Sequence, residues 1–483
     1  MTLFIIVLGF VTAAVVSSLT SSRRVIEGAA IAASVFALGA SSAIAYAVGT
    51  SGAYKPLAFL SVDALGAIVM LLISVVASST SIYAVPFLRK EMDKKVIGLS
   101  RFKQYYVLVN IFLAMMFLAV TANNPVVAWI FLEATTLSTV FLISYYGKRS
   151  SVEAAWKYLI INSLGLLLAF FGTLLYFAAI KGIAANGFVS WQALLDNARH
   201  FDPAVAKVAF VFVLIGYGTK IGLAPMHTWK PDAYSKSPVP LGALFSGALM
   251  PVAFVILLRF KSITDAAVGP LFSQHLLIAF GILSIIIAAL SMLSAKNYKR
   301  LLAYSSIEHA GIIALGFGFG GLGAFAAILH MIYHSLIKPA LFFTSGNILL
   351  KYHSARITKV RGAMSIVPVT SVLLLVGLFA VTGLPPFGIF QTELFILAAG
   401  AKNSPIIVVT ALLAMAMVFI GFFRHVSSMV LSGKPETPQL VESGEDSVWL
   451  FIPPLVLLVL ALVLSVWMPP FVQTLIHETV RNY

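Results

Sequence analysis

The sequence contains no cysteine. That excludes disulfides, thiol redox chemistry and thiolate-held iron–sulfur clusters within this chain. Charge is scarce too: 10% of 483 residues are charged, where a soluble domain carries about 25%. Acids are scarcest, 17 against 32 lysines and arginines, for a formal net charge of +15. There is no GxxxxGK[ST] phosphate loop and no cluster of metal-ligand residues, so no cofactor or metal is expected in the chain. The chain is instead 60% hydrophobic, with a mean hydropathy of +1.00.

Apolar runs of about 20 residues recur from end to end, long enough to cross a hydrocarbon core of about 30 Å. They predict an all-α polytopic membrane protein with about fourteen transmembrane helices. The expected spans are 2–20, 27–48, 58–86, 105–122, 124–147, 155–180, 204–228, 240–261, 271–295, 300–319, 322–350, 366–400, 404–430 and 448–468. No basic residue precedes the first run, and Arg23 and Arg24 follow it instead, so it does not have the pattern of a cleavable signal. The +15 charge would suit nucleic acid, but its placement argues for topology. One set of alternating loops holds 21 lysines and arginines, including Lys230, Lys236 and Lys434; the other, with Lys181, holds 8. The positive-inside rule makes the first set cytoplasmic and puts both termini outside. The basic stretch Arg89–Lys103 is expected on the cytoplasmic membrane surface.

Two spans are interrupted. The seventh contains Gly222-Leu-Ala-Pro225 and the twelfth Gly383-Leu-Pro385-Pro386-Phe-Gly388. A proline removes one N–H and clashes with the carbonyl four residues back. Pro225 therefore frees the Ile221 carbonyl, and Pro385 and Pro386 free those of Val381 and Thr382. Unpaired backbone at membrane depth is tolerated only where it is buried in protein or lines a cavity. The breaks lie five spans apart, so two five-helix sets, spans 4–8 and 9–13, are expected as inverted repeats, each with a broken helix. That arrangement points to a transport site. The expected units are 1–104 (three spans and the basic segment), 105–265 and 266–432 (the two repeats), and 433–483 (the C-terminal span).

The candidate site follows from charges kept at membrane depth, where each costs about 2.5–3.5 kcal/mol by insertion scales. Glu133 sits near the middle of its span. Lys220, at the end of the first half of broken span seven, is its natural partner. A lysine whose carboxylate can approach or withdraw can load and release a proton. His330, His334 and Lys338 follow at i, i+4 and i+8, along one helix face. Histidine titrates near neutrality, so the series reads as a proton relay. Two histidines without nearby Cys, Asp or Glu are too few for a metal. Glu308 and His309 project about 100° apart from span ten, one toward the relay and one toward a neighbouring helix. Glu393, just past Gly388, ends the series. Lys157 and Asp63, nearer span ends, read as structural.

These residues resemble the antiporter-like subunit family: the proton-pumping membrane subunits of respiratory complex I, the Mrp Na⁺/H⁺ antiporter subunits and the membrane arm of group 4 [NiFe] hydrogenases. The resemblance rests on Glu133, the run Lys220-Ile-Gly-Leu-Ala-Pro-Met-His227-Thr-Trp-Lys-Pro-Asp232-Ala, Leu302-Ala-Tyr-Ser-Ser-Ile-Glu-His309, His330-Met-Ile-Tyr-His334-Ser-Leu-Ile-Lys338, and Gly383-Leu-Pro-Pro-Phe-Gly388 with Glu393. Glu153-Ala-Ala-Trp-Lys157-Tyr and Glu393 resemble most the F-type membrane component of hydrogenase-4. The resemblance implies a proton-translocating subunit of an energy-converting redox complex in the prokaryotic inner membrane, of membrane-bound hydrogenase or formate hydrogenlyase type. It also admits an Mrp-type Na⁺/H⁺ antiporter subunit or a complex I membrane subunit. Implied partners are further antiporter-like subunits and a peripheral arm with Fe–S and NiFe subunits. The implied proton path is Glu133, Lys220, His309, His330, His334, Lys338 and Glu393, with Lys157, His227, Asp232, Arg259 and Glu308 as secondary candidates. One departure stands out. Family members often carry a lysine in span eight, about two turns before an arginine like Arg259, and here that position falls near Pro251.

Overall fold

The computed structural model describes residues 2–180, 189–433 and 443–481; Lys181 and Lys434, counted above among the loop charges, lie outside them. The chain is nearly all helical. Its first part runs α1 (Thr2–Leu19), α2 (Arg23–Ser51), β1 (Tyr54–Leu57), β2 (Leu60–Val62), α3 (Ala64–Asp93), α4 (Leu99–Thr121), α5 (Pro125–Ile143) and α6 (Arg149–Ala179). The middle runs α7 (Trp191–Asn197), α8 (Pro203–Ile221), α9 (Trp229–Lys236), α10 (Val239–Leu244), α11 (Met250–Val268), α12 (Pro270–Leu293), α13 (Tyr298–Phe319) and α14 (Leu322–Tyr352). The last part runs α15 (Ala363–Ile366), α16 (Pro368–Val381), α17 (Gly388–Ala401), α18 (Pro405–Val430), α19 (Ile452–Val466) and α20 (Pro470–Val480).

Local chemistry explains the starts. Asp63, Asn124, Asp202 and Asn297 accept hydrogen bonds from the first free N–H groups of α3, α5, α8 and α13, which would otherwise lack a partner. Proline opens α5, α8, α12, α16, α18 and α20, where its missing N–H costs nothing.

By length and composition, 12 helices of the described residues can cross a membrane, or 13 with the bent pair α19–α20. The about fourteen spans expected from sequence differ in three places. Span twelve is two short apolar helices, α16 and α17, separated by the Gly383–Phe387 break. Span fourteen ends at Val466, and α20 turns away by 74°. Span three begins at Ala64, because residues 54–62 form an antiparallel hairpin, a small exception to the all-α expectation. The basic segment begins within a span: α3 runs through Arg89 to Asp93, and Arg89 forms an ion pair with Glu27 of α2, while Lys94, Lys95 and Arg101 are exposed.

Burial separates an inner set of helices from an outer one. The Val239–Val268 stretch is enclosed, and α3, α13 and α14 nearly so, whereas α1, α12 and α18 keep an apolar face exposed. Lipid offers no hydrophobic drive between helices, so close approach depends on small residues. A Cβ at Gly216 of α8 would run into the backbone of Gly165 and Ala169 on α6. This tight contact sets the spacing between α6 and the Lys220 end of α8.

Candidate functional site

Span seven breaks as expected at Gly222–Pro225. Gly222 caps α8 in the left-handed region, φ 88°, which only glycine adopts without strain. A 3₁₀ turn, Met226–Thr228, then leads into α9. The broken span thus extends eight residues beyond its expected end, to Lys236. Lys230, expected in a cytoplasmic loop, is therefore buried, with 1% exposure. Its Nζ donates to the Ile221 carbonyl at 2.8 Å and to the Ser306 carbonyl at 3.3 Å. The carbonyl that Pro225 frees is thus satisfied by a side chain nine residues on.

At the α8 end the polar groups form a chain. Lys220 is buried, and its Nζ donates to Thr136 Oγ1 at 2.7 Å and to the Tyr158 hydroxyl at 3.2 Å. Thr136 donates to Glu133 Oε2 at 3.2 Å, and Ser163 donates to Glu133 Oε1 at 2.6 Å. The expected Glu133–Lys220 pair is therefore bridged rather than direct. Thr136 lies one turn along α5 from Glu133, on the same face, and its hydroxyl occupies the gap. Glu133 itself is half-buried.

A second cluster sits among α13, α14 and α17. His309 Nδ1 and His330 Nε2 are 2.8 Å apart, and His330 Nδ1 is 2.9 Å from the Thr392 hydroxyl. The His334 ring lies 5.2 Å from that of His309. Among the described residues neither His334 nitrogen has a hydrogen-bond partner. Lys338 Nζ donates to the Leu302 carbonyl at 2.7 Å, and Glu308 is within electrostatic reach of it. Both Glu308 and His309 thus face the relay: the imidazole joins the histidines, and the carboxylate, in reach of Lys338, also lies 3.9 Å from His309 Nε2. Near the second break, the Val381 carbonyl, which Pro385 frees, lies close to the His309 imidazole but outside hydrogen-bond geometry. The Glu393 carboxylate lies against Gly383, where a Cβ would fall on it. The His330–Thr392 contact ties the histidine series to α17, one residue before Glu393.

The secondary candidates separate. Asp232 of α9 pairs with Arg300 at 2.7 Å and Lys157 at 3.5 Å, and Lys157 also pairs with Glu153 at 2.6 Å. These ties join α6, α9 and α13. Arg259 clamps Asp63 at 3.2 Å and covers the Trp191 ring at 5.5 Å, a structural pairing apart from both clusters. His227 is half-buried in the 3₁₀ turn. Sequence reading missed Thr136, Tyr158, Ser163, Thr392 and Lys230. Hydroxyls are ordinary in membrane helices, and only Lys230 carried a signal, being charged beside a helix break. Among the described residues no group of three His, Asp or Glu side chains is arranged to hold a metal.

Comparison with known proteins gives a consistent picture. The model of the family "NADH:quinone oxidoreductase/Mrp antiporter, TM" matches residues 122–420. The chain is 37% identical, over 355 residues, to the hydrogenase-4 component F homolog of Methylacidiphilum infernorum (isolate V4), covering 73% of this chain and 75% of that protein. It is 28% identical to a Na⁺/H⁺ antiporter subunit of Alkalihalophilus pseudofirmus over 87% of this chain, and it spans about half, 54%, of that longer protein. A chain of an archaeal membrane-bound sulfane sulfur reductase has the same fold, with a TM-score of 0.86 and 23% identity over 100% of this chain and 96% of that one.

Proposed function

The chain belongs to the NADH:quinone oxidoreductase/Mrp antiporter membrane family, and from that premise we propose that it is a proton-translocating subunit of an energy-converting redox complex of membrane-bound hydrogenase type. The observation that carries this reading is the row of ionisable groups inside an apolar bundle: Lys220, His309, His330, His334 and Lys338, all buried, with the half-buried Glu133 and Glu393 at its two ends. Such groups are costly at membrane depth and mark ion or proton pathways. The two broken helices supply the irregular backbone typical of transport sites. We take 105–265 and 266–432 as the two inverted repeats, 1–104 and 433–483 as the flanking units, and the inner membrane with both termini outside as the setting.

Charge movement in a neighbouring subunit reaches the half-buried Glu133. Through Thr136 this alters the field at Lys220, which then takes up or yields a proton. The proton crosses to the Lys338 and histidine cluster and leaves by way of Glu393. This chain carries no electrons; partner subunits with Fe–S and nickel–iron groups do. The similarity to a hydrogenase-4 component supports the hydrogenase branch.

Two experiments test the reading. Proton flux is followed with a pH-sensitive dye after reconstitution of the native assembly. Lys220→Ala is expected to lower it at least tenfold, and normal flux with a folded protein would remove Lys220 from the path. Mass spectrometry and metal analysis of the co-purifying chains then identify the partners. Iron and nickel support the redox branch. The similarity to a Na⁺/H⁺ antiporter component favours a second reading, membership of an antiporter without a redox partner. Flux driven by a sodium gradient alone, with no metal in the assembly, would establish it.

A further inference from the structure

The two clusters are separated by the enclosed α10–α11 stretch. From Val239 to Leu258 that stretch has no titratable side chain. Its polar groups include Ser246, whose hydroxyl lies 2.9 Å from that of Ser306. The buried cation beside this barrier is Lys230. Its Nζ touches a carbonyl from each side: Ile221, the residue after Lys220, and Ser306, two residues before Glu308.

We propose that Lys230 is the central proton-exchanging group of the path, receiving a proton from the Lys220 side and passing it to the Glu308–Lys338 side. The inference rests on the proton-translocation reading above. Three features of the site support it. A neutral amine has two N–H donors and one lone pair. The two carbonyls use both donors and leave the lone pair free to accept a proton, so the same site holds either charge state. No carboxylate forms an ion pair with Lys230 among the described residues; the contact that favours its ammonium is the Tyr234 ring, with Nζ 5.7 Å from the centroid, a weaker hold than a carboxylate. The nearest carboxylates along the packed elements, Asp232 and Glu308, have other partners: Asp232 is engaged with Arg300 and Lys157, and Glu308 faces Lys338. Finally, Lys230 is within electrostatic reach of His309, His334 and Lys338, so its charge state bears on the whole second cluster.

The backbone is shaped around this side chain. A Cβ on Gly222 would lie 2.6 Å from Lys230 Cδ and 3.1 Å from its Nζ. In the transfer one N–H bond breaks on the donor ammonium and one forms on the Lys230 lone pair. The reverse occurs on release, so no net charge is created. A Lys230 that only ties α8 to α13 would do none of this, and would need only its donors.

Lys230→Gln and Lys230→Arg separate the two roles. Glutamine keeps N–H donors but takes up no proton, while arginine keeps donors and does not release one. Both are assayed for proton flux in the purified native assembly, beside Lys220→Ala. At least tenfold loss in each assembled variant is the expected result. Flux within twofold of the unsubstituted protein in either variant overturns the proposal and leaves Lys230 a structural tie. If one variant does not assemble, the other decides; if neither does, the amine is a tie and the proposal falls. Normal flux in Lys220→Ala would instead overturn the path itself, whatever Lys230 does.

Discussion

At the scale of single residues, hydroxyl groups decide how the charges communicate. Thr136 receives the Lys220 ammonium and donates to Glu133, so neither charge is left unsolvated. Replacing it with valine would orphan a buried donor, at a cost of about 1–3 kcal/mol. Since about 1.4 kcal/mol is tenfold in rate, Thr136→Val is expected to slow proton flux about tenfold and Thr136→Ser to restore it. A full-rate Thr136→Val protein would mean that Glu133 acts on Lys220 through space alone. Thr392→Val should likewise weaken exit, because it removes the hydroxyl that His330 meets at 2.9 Å. The charged members of the site were legible in the sequence, since an acid or lysine inside an apolar run stands out against its cost. The hydroxyls were not, because serine and threonine satisfy themselves on their own helix, as Thr173 does on Ala169, and carry no excess cost to betray a role.

Among the elements, the broken helices do the positioning. Pro225 frees the Ile221 carbonyl, and the Gly222 turn leaves space for Lys230 to reach it. Gly222→Ala combines left-handed strain, about 1–2 kcal/mol, with a collision against that lysine. It is expected to lower the thermal midpoint of the purified protein and to reduce flux together. A variant that loses stability but pumps normally would separate the turn from the path. At the other break, a side chain on Gly383 would displace Glu393, and Gly383→Ala should depress flux with α16 and α17 still formed, as circular dichroism would show. That both spans break was legible from proline and glycine alone. How far span seven continues was not: the Trp229–Lys236 helix is short and polar by composition, and only its packing against α6 and α13 buries Lys230.

Over the whole molecule, the breaks leave something uncovered. Pro225, Thr228, Pro385 and Pro386 are exposed on the isolated chain, as is Gln391. Irregular backbone does not face lipid, so neighbouring membrane subunits are expected to cover these places. Photo-crosslinkers at Thr228 and Gln391 should capture membrane subunits in the native assembly, and labelling of lipid alone would contradict this. The ends of the bundle are tied in a simpler way. Burial tends to raise the Asp446 carboxyl, but Lys351 at 2.9 Å and Lys90 at 3.6 Å outweigh it and hold the group below the ordinary 3.8. A depressed carboxylate stabilises the fold above that ordinary value and loses its contribution as pH falls through the lower, folded one. Asp446→Asn should therefore lower the thermal midpoint at pH 7, for a stability loss of no more than about 1 kcal/mol in a partly solvated pair, and the difference should close as pH falls below the ordinary carboxylate range. The membrane class, most span positions and the membrane-depth charges were determined by the sequence itself, because lipid demands long apolar helices and makes every retained charge conspicuous. Which of those charges meet, that Thr136 stands between two of them, that His330 rather than His334 reaches α17, and that Lys230 lies in the core were decided only by the tertiary structure. Those facts depend on which face of each helix its neighbours cover, and no single span encodes that.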